Sequence, residues 1–522
     1  MVLRRFRSPF LHILAAIILH HQSAAALPLS VNSRWIVDDR NGGERVKLSC
    51  INWVSHLDAA VAEGLSKQPL DVISKKILAM GFNCVRLTYP LFLFTNDTLA
   101  STTVRKSLQQ LGLSASVAGV QVNNPSIVDL SLIDAFVAVV SNLNKNNVLI
   151  VLDNHISKPG WCCNDNDDNG YTNVVGMSLR NELRGYKQNI ESWYRYMQKG
   201  AEGVHLANPN VLVILSGLSY DQDLSFLRDQ SVTLSFTKKL VFEVHWYGFS
   251  NDDDWITGNS NQVCGQIINT MTYKAGFLLN QGYPLFLSEW GVDQRGTNEN
   301  DNRYLNCLLG WVAEHDLDWA LWTIVGSYYI RDGVAGREEF YGVLNWNWYE
   351  PRNSSFLERI SPLQSPFQAP QGLSGVRQHK IIFHPSTGLC LQSQSLTLGP
   401  CNNSEALDYT PRNVLIVKGT NYCLQADGLD MQVKLSIMCT DVSTKWEAIS
   451  ASKMHLSSKI NGNVTVCLDI DADNTIVTNR CKCLSEDKLC DPSSQWFKVI
   501  NSTSVGVAKP VIQSYSWLKS SK

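Results

Sequence analysis

The sequence predicts an α/β fold, a (β/α)8 barrel, followed by an all-β trefoil domain. Short apolar runs alternate with helical patterns over residues 30–360, which is typical of βα units around a parallel sheet. Six cysteines are scattered over the first 370 residues, whereas eight crowd the stretch from Cys390 to Cys490. Three similar segments recur within that cysteine-rich stretch, as expected of a repeat fold. We therefore expect a barrel over residues 30–360 and a trefoil over residues 373–500.

The N-terminal residues have the layout of a secretory signal peptide. Three arginines precede an apolar run from Phe10 to Leu19, and Ala24–Ala26 offers small residues for cleavage. The run is too short to span a bilayer, and no later stretch reaches about 18 uninterrupted apolar residues. We expect residues 1–26 to be removed and the protein to be secreted, to the extracellular space or the cell wall, without stable membrane insertion.

Composition agrees with an exported protein that does not bind nucleic acid. Removal of the signal peptide takes away three arginines and no acids, which moves the formal net charge from −2 to about −5. No basic footprint remains, so we expect no nucleic-acid partner. Five Asn-x-Ser/Thr sequons predict a glycoprotein. They begin at Asn96, Asn353, Asn402, Asn463 and Asn501.

Eight apolar runs predict the strands of the barrel. In chain order they span residues 46–53, 84–89, 148–155, 175–182, 211–218, 240–247, 284–291 and 319–325. Helices are predicted at 129–146, 186–205 and 299–315. In the first of these, Ile133, Phe136, Val137 and Val140 keep the i, i+3, i+4, i+7 spacing of an amphipathic helix.

Polar and aromatic side chains stand at the predicted C-terminal ends of these strands, where barrel enzymes keep their chemistry. They are Arg86, Asn154, His155, Asn181, Glu182, His245, Tyr247, Glu289 and Trp322. A single Glu at a strand end is more often a helix-start residue or a surface ion-pair partner. Two of them, each beside a polar or aromatic residue, favour glycoside hydrolysis, which needs one carboxyl group to protonate the leaving oxygen and another to attack or to activate water.

The region from about 30 to 360 resembles glycoside hydrolase family 5, the cellulase-like retaining β-glycosidases. "LRNELRG" is similar to the family's Asn-Glu motif, which implies that Glu182 is the general acid/base and that Asn181 binds the sugar 2-hydroxyl. "FLSEWG" is similar to the nucleophile motif and implies that Glu289 forms the glycosyl-enzyme. The usual Pro after Asn-Glu is replaced by Leu183.

The same resemblance assigns the remaining side chains to substrate binding. Arg86 would support the nucleophile, Trp322 would stack on a sugar, and the other positions are Asn154, His155, His245 and Tyr247. It implies a retaining β-glycosidase that acts on β-linked glucans or glucosides without a cofactor. We expect an oligosaccharide, polysaccharide or glucoside as partner, and transfer to another acceptor as an alternative to hydrolysis.

The segment from 156 to 174 departs from the barrel pattern. It is rich in Pro, Gly and Asp/Asn and shows no helical periodicity, so the third helix of the barrel is predicted to be missing. This leaves open an alternative from another class, a carbohydrate-binding protein whose barrel is catalytically impaired. "DNDDNG" (165–170) matches half a calcium loop, but Gly176 stands where a bidentate Glu is required, so no metal is expected. Cys162 and Cys163 are expected in disulfides.

A proline-containing stretch, residues 361–372, predicts a linker, and a threefold repeat follows it. Each repeat holds a cysteine pair and then an aromatic residue, and a tail follows at 501–522. The pairs predicted to bridge are Cys390/Cys401, Cys423/Cys439, Cys467/Cys481 and, in the last loop, Cys483/Cys490. This part resembles the ricin-B-type lectin trefoil, in which an Asp two residues after the first Cys binds sugar. Only Asp469 matches, because Gln392 and Gln425 stand in the other repeats. The alternative is a trefoil that merely docks on the barrel.

Overall fold

The computed structural model describes residues 29–161, 178–186, 188–370, 377–461 and 463–504. Seven parallel strands hydrogen-bond side by side in a curled sheet. They span Ser49–Trp53, Cys84–Pro90, Leu149–Ile156, Val213–Leu215, Leu240–His245, Leu285–Trp290 and Asp318–Leu321. Ser178 forms parallel bridges to both Asp153 and Ile214 and so takes the place of the fourth strand between the third and the fifth. These bridges close the ring, and the predicted barrel is confirmed.

The fourth strand differs most from its prediction. Only Ser178 of the predicted run 175–182 carries a described strand pairing, and residues 175–177 lie outside the described residues. Three other predictions fall largely or wholly on residues 162–177, which lie outside the described part. They are the missing third helix, the half calcium loop and the disulfides of Cys162 and Cys163. The predicted signal peptide, residues 1–26, lies outside the described part as well.

Helices surround the barrel where the chain crosses between strands. Six of them span Leu70–Ala79, Leu132–Lys145, Ile190–Ala207, Ser260–Met271, Glu299–His315 and Ser354–Ile360. The three predicted helices are among them. In Leu132–Lys145 the buried stripe is Leu132, Ala135, Phe136, Val139 and Leu143, one position away from the predicted one. Ser131 starts this helix, because its hydroxyl accepts the N–H of Asp134 at 3.1 Å.

Further parts of the first domain were not predicted. Four consecutive helices follow the second strand, at Phe92–Thr95, Asp97–Ser101, Val104–Gln110 and Ser114–Asn123, and Phe277–Asn280 follows a π-helical turn at Thr272–Gly276. An antiparallel sheet of Leu29–Asn32, Trp35–Asp38 and Glu44–Arg45 precedes the first barrel strand. Disulfides join Cys50 to Cys84, between the first two barrel strands, and Cys264 to Cys307, between two helices.

The C-terminal region is all β and has a core of its own, which includes Ile382, Leu424, Trp446, Leu468 and Phe497. Its strands are Arg377–His384, Leu389–Gln392, Thr397–Gly399, Leu407–Tyr409, Leu415–Val417, Cys423–Gln425, Met431–Gln432, Lys434–Ser436, Glu447–Ile449, His455–Ile460, Val464–Ile470, Ile476–Asn479 and Lys498–Ser504. The four predicted disulfides are confirmed, namely Cys390–Cys401, Cys423–Cys439, Cys467–Cys481 and Cys483–Cys490.

The stretch between the two regions packs against the barrel over its described part, in contrast to the predicted linker. Ser361–Gln364 forms a 3-10 helix in which Leu363 is buried. The Gln364 side chain donates to the carbonyl of Met80 at 2.9 Å, and Phe367 is also buried. The linker prediction rests on the prolines and polar residues of this stretch. The structure differs because the apolar residues between them are buried against the barrel. Over the described residues, no helix is long and apolar enough to cross a membrane.

Candidate active site

The C-terminal ends of the barrel strands bring the predicted site residues together. Arg86, Asn154, His155, His245 and Glu289 lie on strands, whereas Asn181, Glu182, Tyr247 and Trp322 lie just beyond strand positions. All nine are buried or nearly so, with exposures of 9% or less. Their arrangement follows from the parallel sheet, since parallel strands deliver their C-terminal residues to one mouth.

Glu289 is held by one cation and one hydroxyl. Nη1 of Arg86 donates to Oε1 of Glu289 at 2.7 Å, and the Tyr247 hydroxyl donates to Oε2 at 3.0 Å. Burial raises the pKa of Glu289, whereas His245 and Arg86 oppose that rise. Both short contacts favour the anionic carboxylate, because each partner donates to it.

Glu182 has a different environment. Its Oε1 lies 3.1 Å from Nδ1 of His245, and its backbone N–H donates to Asp221 at 2.9 Å. Burial is the main cause that raises the pKa of Glu182 to about 7, and Arg184 and Arg86 lower it in part. Burial also lowers the pKa of His245, so the imidazole beside Glu182 is neutral near neutral pH. A carboxyl group with such a pKa can carry a proton and later accept one.

The two carboxylates face each other across the mouth. One oxygen of Glu182, one of Glu289 and a nitrogen of His245 all lie within 4.8 Å of one another. Glu289 also forms a compact group with Asp153 and His155. Either group has the side-chain types of a metal site, but Oε1 of Glu289 already accepts from the Arg86 guanidinium at 2.7 Å. We therefore interpret these residues as acid–base groups.

Arg86 is the centre of the charge network below the mouth. Its Nη2 donates to Oδ1 of Asn181 at 2.9 Å and lies 3.1 Å from Asp153. Its Nη1 also donates to Asn52 at 3.0 Å. Burial alone would lower the pKa of Arg86, but the surrounding carboxylates, Asp153 first, raise it above its ordinary value. The guanidinium is therefore a permanent positive charge that links Glu289 to Asn181.

A stack of rings forms another side of the site. The His155 ring stacks on His56 with centroids 4.0 Å apart and on Trp322 with centroids 5.6 Å apart. Nδ1 of His155 lies 2.6 Å from Asp153, and Nδ1 of His56 lies 2.7 Å from the Thr88 hydroxyl. The stack and these two contacts fix the orientation of the Trp322 ring.

Asn154 and Tyr247 are fixed by backbone and ring contacts. The Asn154 side chain donates to the carbonyl of Leu179 at 3.0 Å, and the backbone carbonyl of Asn154 accepts the N–H of Asn181 at 3.0 Å. This ties the third strand to the segment that carries Glu182. The Tyr247 ring stacks on Phe249 with centroids 4.7 Å apart, and Phe249 is 58% exposed.

Asp469, the predicted lectin residue, lies in the C-terminal region and not at this mouth. It is 1% exposed, and its Oδ2 accepts from Asn479 at 3.1 Å and from Gln495 at 2.9 Å. Lys482 lies 3.3 Å from the same oxygen. The carboxylate is thus engaged inside the region, and we propose no sugar-binding role for it.

Sequence reasoning missed several charged residues of the site. Asp153, Asp221 and Glu243 are fully buried and surround Arg86, His155 and His245. Asp153 and Glu243 occur inside otherwise apolar strand runs, "VLIVLDNH" and "LVFEVHWY". A charge at an inward position of such a strand is the signal that could have identified them, because isolated buried charges are costly.

Comparisons of the whole sequence agree with this geometry. The family model described as "Cellulase (glycosyl hydrolase family 5)" matches residues 62–327. A "Glycosyl hydrolase 5 family protein" of Chamaecyparis obtusa is 39% identical over 539 aligned residues, which cover 94% of this chain and 96% of the relative.

Solved structures share the fold of the first domain. A hyperthermophilic endocellulase from the archaeon Pyrococcus horikoshii is 17% identical with a TM-score of 0.51, covering 65% of this chain and all of that chain (100%). The catalytic domain of the major endoglucanase of Xanthomonas campestris pv. campestris is 17% identical with a TM-score of 0.50, covering 64% and 99% of the two chains. At this identity the similarity is one of fold.

Proposed function

Since the chain belongs to glycoside hydrolase family 5 and is a glycoside hydrolase, we propose that it hydrolyses β-linked glucans or glucosides with retention of configuration. The observation that carries the proposal is the pair Glu182 and Glu289, whose nearest oxygens are within 4.8 Å. Retaining enzymes place their carboxyl groups about 5 Å apart, whereas inverting enzymes need about 6.5–9.5 Å to admit water between them.

The first half-reaction uses the two carboxyl groups in opposite states. Glu182, with a pKa of about 7, donates its proton to the glycosidic oxygen as the bond to the anomeric carbon breaks. Glu289, held as an anion by Arg86 and Tyr247, attacks that carbon. The leaving alcohol takes the Glu182 proton, and the sugar remains bonded to Glu289 as an ester.

The second half-reaction reverses these roles. Glu182, now a carboxylate, removes a proton from water as the water oxygen attacks the anomeric carbon. The ester bond breaks, and Glu289 departs as a carboxylate that Arg86 again stabilises. An alcohol acceptor in place of water would give transfer by the same steps. Two inversions at one carbon leave the product with the β configuration of the substrate.

The substrate class follows from the family and from the shape of the mouth. The names of the two solved relatives, an endocellulase and an endoglucanase, are the reason to test β-glucans first. Trp322, stacked on His155, offers a flat apolar face to a sugar ring. Arg86 donates to Oδ1 of Asn181, which holds this amide beside Glu182, where a sugar hydroxyl would bind.

The test is trapping of the intermediate. A fluoro-sugar inactivator of β-glucosidases should label the protein, and peptide mapping should place the label on Glu289. Proton NMR of an aryl β-glucoside reaction should show the β product first. Label on another residue, or an α product formed first, would refute the retaining assignment.

Matched variants separate the two carboxyl groups. Azide should rescue Glu289→Ala and give the α-glycosyl azide, because a single displacement inverts the carbon. With an activated aryl glucoside, azide should instead give the β-glycosyl azide with Glu182→Ala, because the glycosyl-enzyme still forms. The same azide anomer from both variants would contradict the assignment of roles.

We also propose that the C-terminal region is a ricin-B-type trefoil. Three disulfides, each within one repeat, and three following aromatic residues at 409, 446 and 496 support this. Asn259, on the barrel, donates to carbonyls of the Cys483–Cys490 loop, which supports a docked module. Glycan-array binding of the full chain with Asp469→Ala as variant tests sugar binding; a docked module predicts no Asp469-dependent binding.

Export to the extracellular space or the cell wall is part of the proposal. The signal-like residues 1–26 and the sequons support it. Disulfides at the described cysteines, which persist in oxidising compartments, support it as well. Expression in a plant or yeast host should give a protein in the medium that begins near residue 27 and shifts in mass with a glycan-removing enzyme. Retention of residues 1–26 in a cell-associated product would refute it.

A further inference from the structure

Asp221 contacts both Glu182 and the histidine that faces Glu182. Its Oδ2 accepts the backbone N–H of Glu182 at 2.9 Å and lies 3.5 Å from Nε2 of His245. Its backbone carbonyl accepts the N–H of His245 at 3.0 Å. Asp221 is fully buried, at 0% exposure. One carboxylate therefore touches the loop after the fourth strand and the end of the sixth strand, at the point where the proposed acid/base side chain is held.

The backbone around Asp221 is unusual in the same place. Ser219, Tyr220 and Asp221 have successive positive φ angles of 54°, 59° and 58°, and Glu182 has a φ of 46°. Each left-handed residue of this kind costs about 1–2 kcal/mol. Tyr220 donates its N–H to the carbonyl of Leu183 at 3.0 Å, which fastens this turn to the Glu182 segment. Strain of this kind persists where the surroundings fix the conformation, which is common at functional sites.

The oxygen that faces His245 is an acceptor. Oδ2 accepts the Glu182 N–H and faces Nε2 of His245, whereas Oδ1 of Asp221 and Nε2 itself have no hydrogen-bond partner among the described residues. An ionised Asp221 can only accept, so a proton on Nε2 is the one that would pair with it. The 3.5 Å separation is long for a hydrogen bond, and such contacts often tighten when substrate binds.

We propose that Asp221 is a positioning residue that keeps the His245 proton on Nε2, so that Nδ1 remains an acceptor for the Glu182 carboxylic proton. The proposal rests on the proposed function, in which Glu182 is the acid. When Nδ1 carries no proton, it accepts a hydrogen bond and stabilises protonated Glu182. When Nδ1 carries a proton, it donates and stabilises the Glu182 carboxylate. Asp221 thus prepares Glu182 as an acid before substrate binds.

The charged groups around this contact come from several strands. Asp221 faces Glu182, His245, Glu243 and Arg86, and Glu243 accepts the Ser178 hydroxyl at 2.5 Å. Burial and Glu243 raise the pKa of Asp221, whereas the Glu182 N–H and Arg86 lower it. Around Glu182, Arg184 and Arg86 lower its pKa and Asp153 raises it.

The test compares Asp221→Ala with Asp221→Asn. Alanine removes the acceptor for Nε2–H, so the His245 proton can move to Nδ1 and favour the Glu182 carboxylate. The alkaline limb of the pH profile of kcat/KM should therefore move to lower pH. With an oligosaccharide, whose leaving group needs a proton, kcat/KM should fall roughly 10- to 100-fold, part of the 10²–10⁴ that acid catalysis supplies. With a dinitrophenyl glucoside, whose leaving group needs no proton, it should fall less than about threefold. Asparagine keeps an oxygen toward Glu182 and His245, so Asp221→Asn should have the wild-type pH limb and the wild-type kcat/KM with the oligosaccharide.

The matched control is Asp223→Ala. Asp223 lies in the same turn, but its side chain accepts the N–H of Ser225 at 2.9 Å and contacts neither Glu182 nor His245. Asp223→Ala should change kcat/KM by the same factor for both substrates and leave the alkaline limb of the pH profile at the same pH. Equal losses on both substrates in Asp221→Ala, with no shift of the limb, would overturn the proposal in favour of a structural role.

A direct measurement does not depend on activity. In protein with ¹⁵N-labelled histidine, the two ring nitrogens of His245, assigned by comparison with His245→Gln, should show the Nε2–H tautomer. An Nδ1–H tautomer in the wild-type protein would overturn the proposal. If the wild type hydrolyses no β-glucoside or β-glucan, the proposed function fails, while this spectrum still decides the role of Asp221.

Discussion

Replacing Asn259 should loosen the C-terminal region from the barrel. Asn259 is the N-cap of the Ser260–Met271 helix, and its Oδ1 accepts the N–H groups of Asn261 and Gln262. Its Nδ2 points the other way, toward the carbonyls of Cys483, Ser485 and Asp487, at 3.2, 3.0 and 2.8 Å. Asn259 is 3% exposed. One side chain therefore starts a barrel helix and holds the disulfide loop of the other region.

Asn259→Asp separates these two roles. Aspartate is as good an N-cap as asparagine, so the helix start is kept. The donor is lost, and a carboxylate oxygen meets carbonyl oxygens in a buried place. Leaving a buried polar group without its partner costs about 1–3 kcal/mol, and two N–H groups are involved, so we expect a loss of about 2–6 kcal/mol. Asn259→Ala should lose about 1 kcal/mol more for the missing cap.

Hydrogen exchange of peptides covering residues 480–497 reads the result locally. A loss of about 2–6 kcal/mol corresponds to exchange roughly 30- to 20,000-fold faster, since about 1.4 kcal/mol is a factor of ten. Asn298→Ala is the control, because Asn298 caps the Glu299–His315 helix through one bond to Asp301, at 3.2 Å, and reaches no carbonyl of the loop. Exchange in Asn259→Asp equal to that of the wild type would show that these bonds do not hold the regions together.

Three further predictions concern the site and the base of the barrel. Because Glu182 must be protonated and its pKa is about 7, kcat/KM should decline as the pH rises through about 7, and this limb should disappear in Glu182→Gln when an activated aryl glucoside is used. Arg86→Leu should lower kcat at least about 100-fold with an unchanged circular dichroism spectrum, because Glu289 loses its cation; near wild-type kcat would contradict the network. Asp316→Asn should lower the free energy of unfolding, measured in urea, by about 3–5 kcal/mol, because Lys47, whose Nζ lies 2.8 Å from Asp316, stays buried without this partner. Asp71→Asn, which removes one partner of the exposed ion pair with Lys75, is the control. Arg45 and Lys47 lower the pKa of Asp316 against the effect of burial, so its contribution is complete above about pH 4 and is lost as the pH falls below that value; stability that rises on acidification would refute this.

The barrel could be predicted from sequence because its signals are local. Apolar runs and helical spacing are read over a few residues, and the strand ends then follow from the parallel arrangement. The fourth strand was predicted at the right place in the ring, since Ser178 bridges its two neighbours, but beyond Ser178 the described residues of the predicted run 175–182 do not continue as a strand. Likewise, Leu363 and Phe367 are buried within a stretch whose prolines suggested a spacer.

The chemistry of the site was predictable only as far as its motifs extend. Glu182 and Glu289 stand in recognisable short patterns, whereas Asp221 follows the fifth strand in "GLSYDQ", which has no pattern of its own. Its position depends on contacts with Glu182, which is 39 positions earlier in the chain, and with His245, which is 24 positions later. Only the closed barrel brings the C-terminal ends of the fourth, fifth and sixth strands together, so local sequence could not show that Glu182 and His245 contact one carboxylate.

The different protonation of the two glutamates is a property of the scaffold more than of the glutamates themselves. Both are buried, and burial raises both pKa values. What differs is that Glu289 receives the guanidinium of Arg86 at 2.7 Å, while Glu182 faces a neutral imidazole at 3.1 Å. Arg86 lies on the second strand and His245 on the sixth, so each glutamate is matched to its partner across the barrel and not along the chain. It follows that removing Arg86 should raise both pKa values and impair chiefly the proposed nucleophile, whereas protonating His245 should lower both and impair chiefly the proposed acid, even with both glutamates in place.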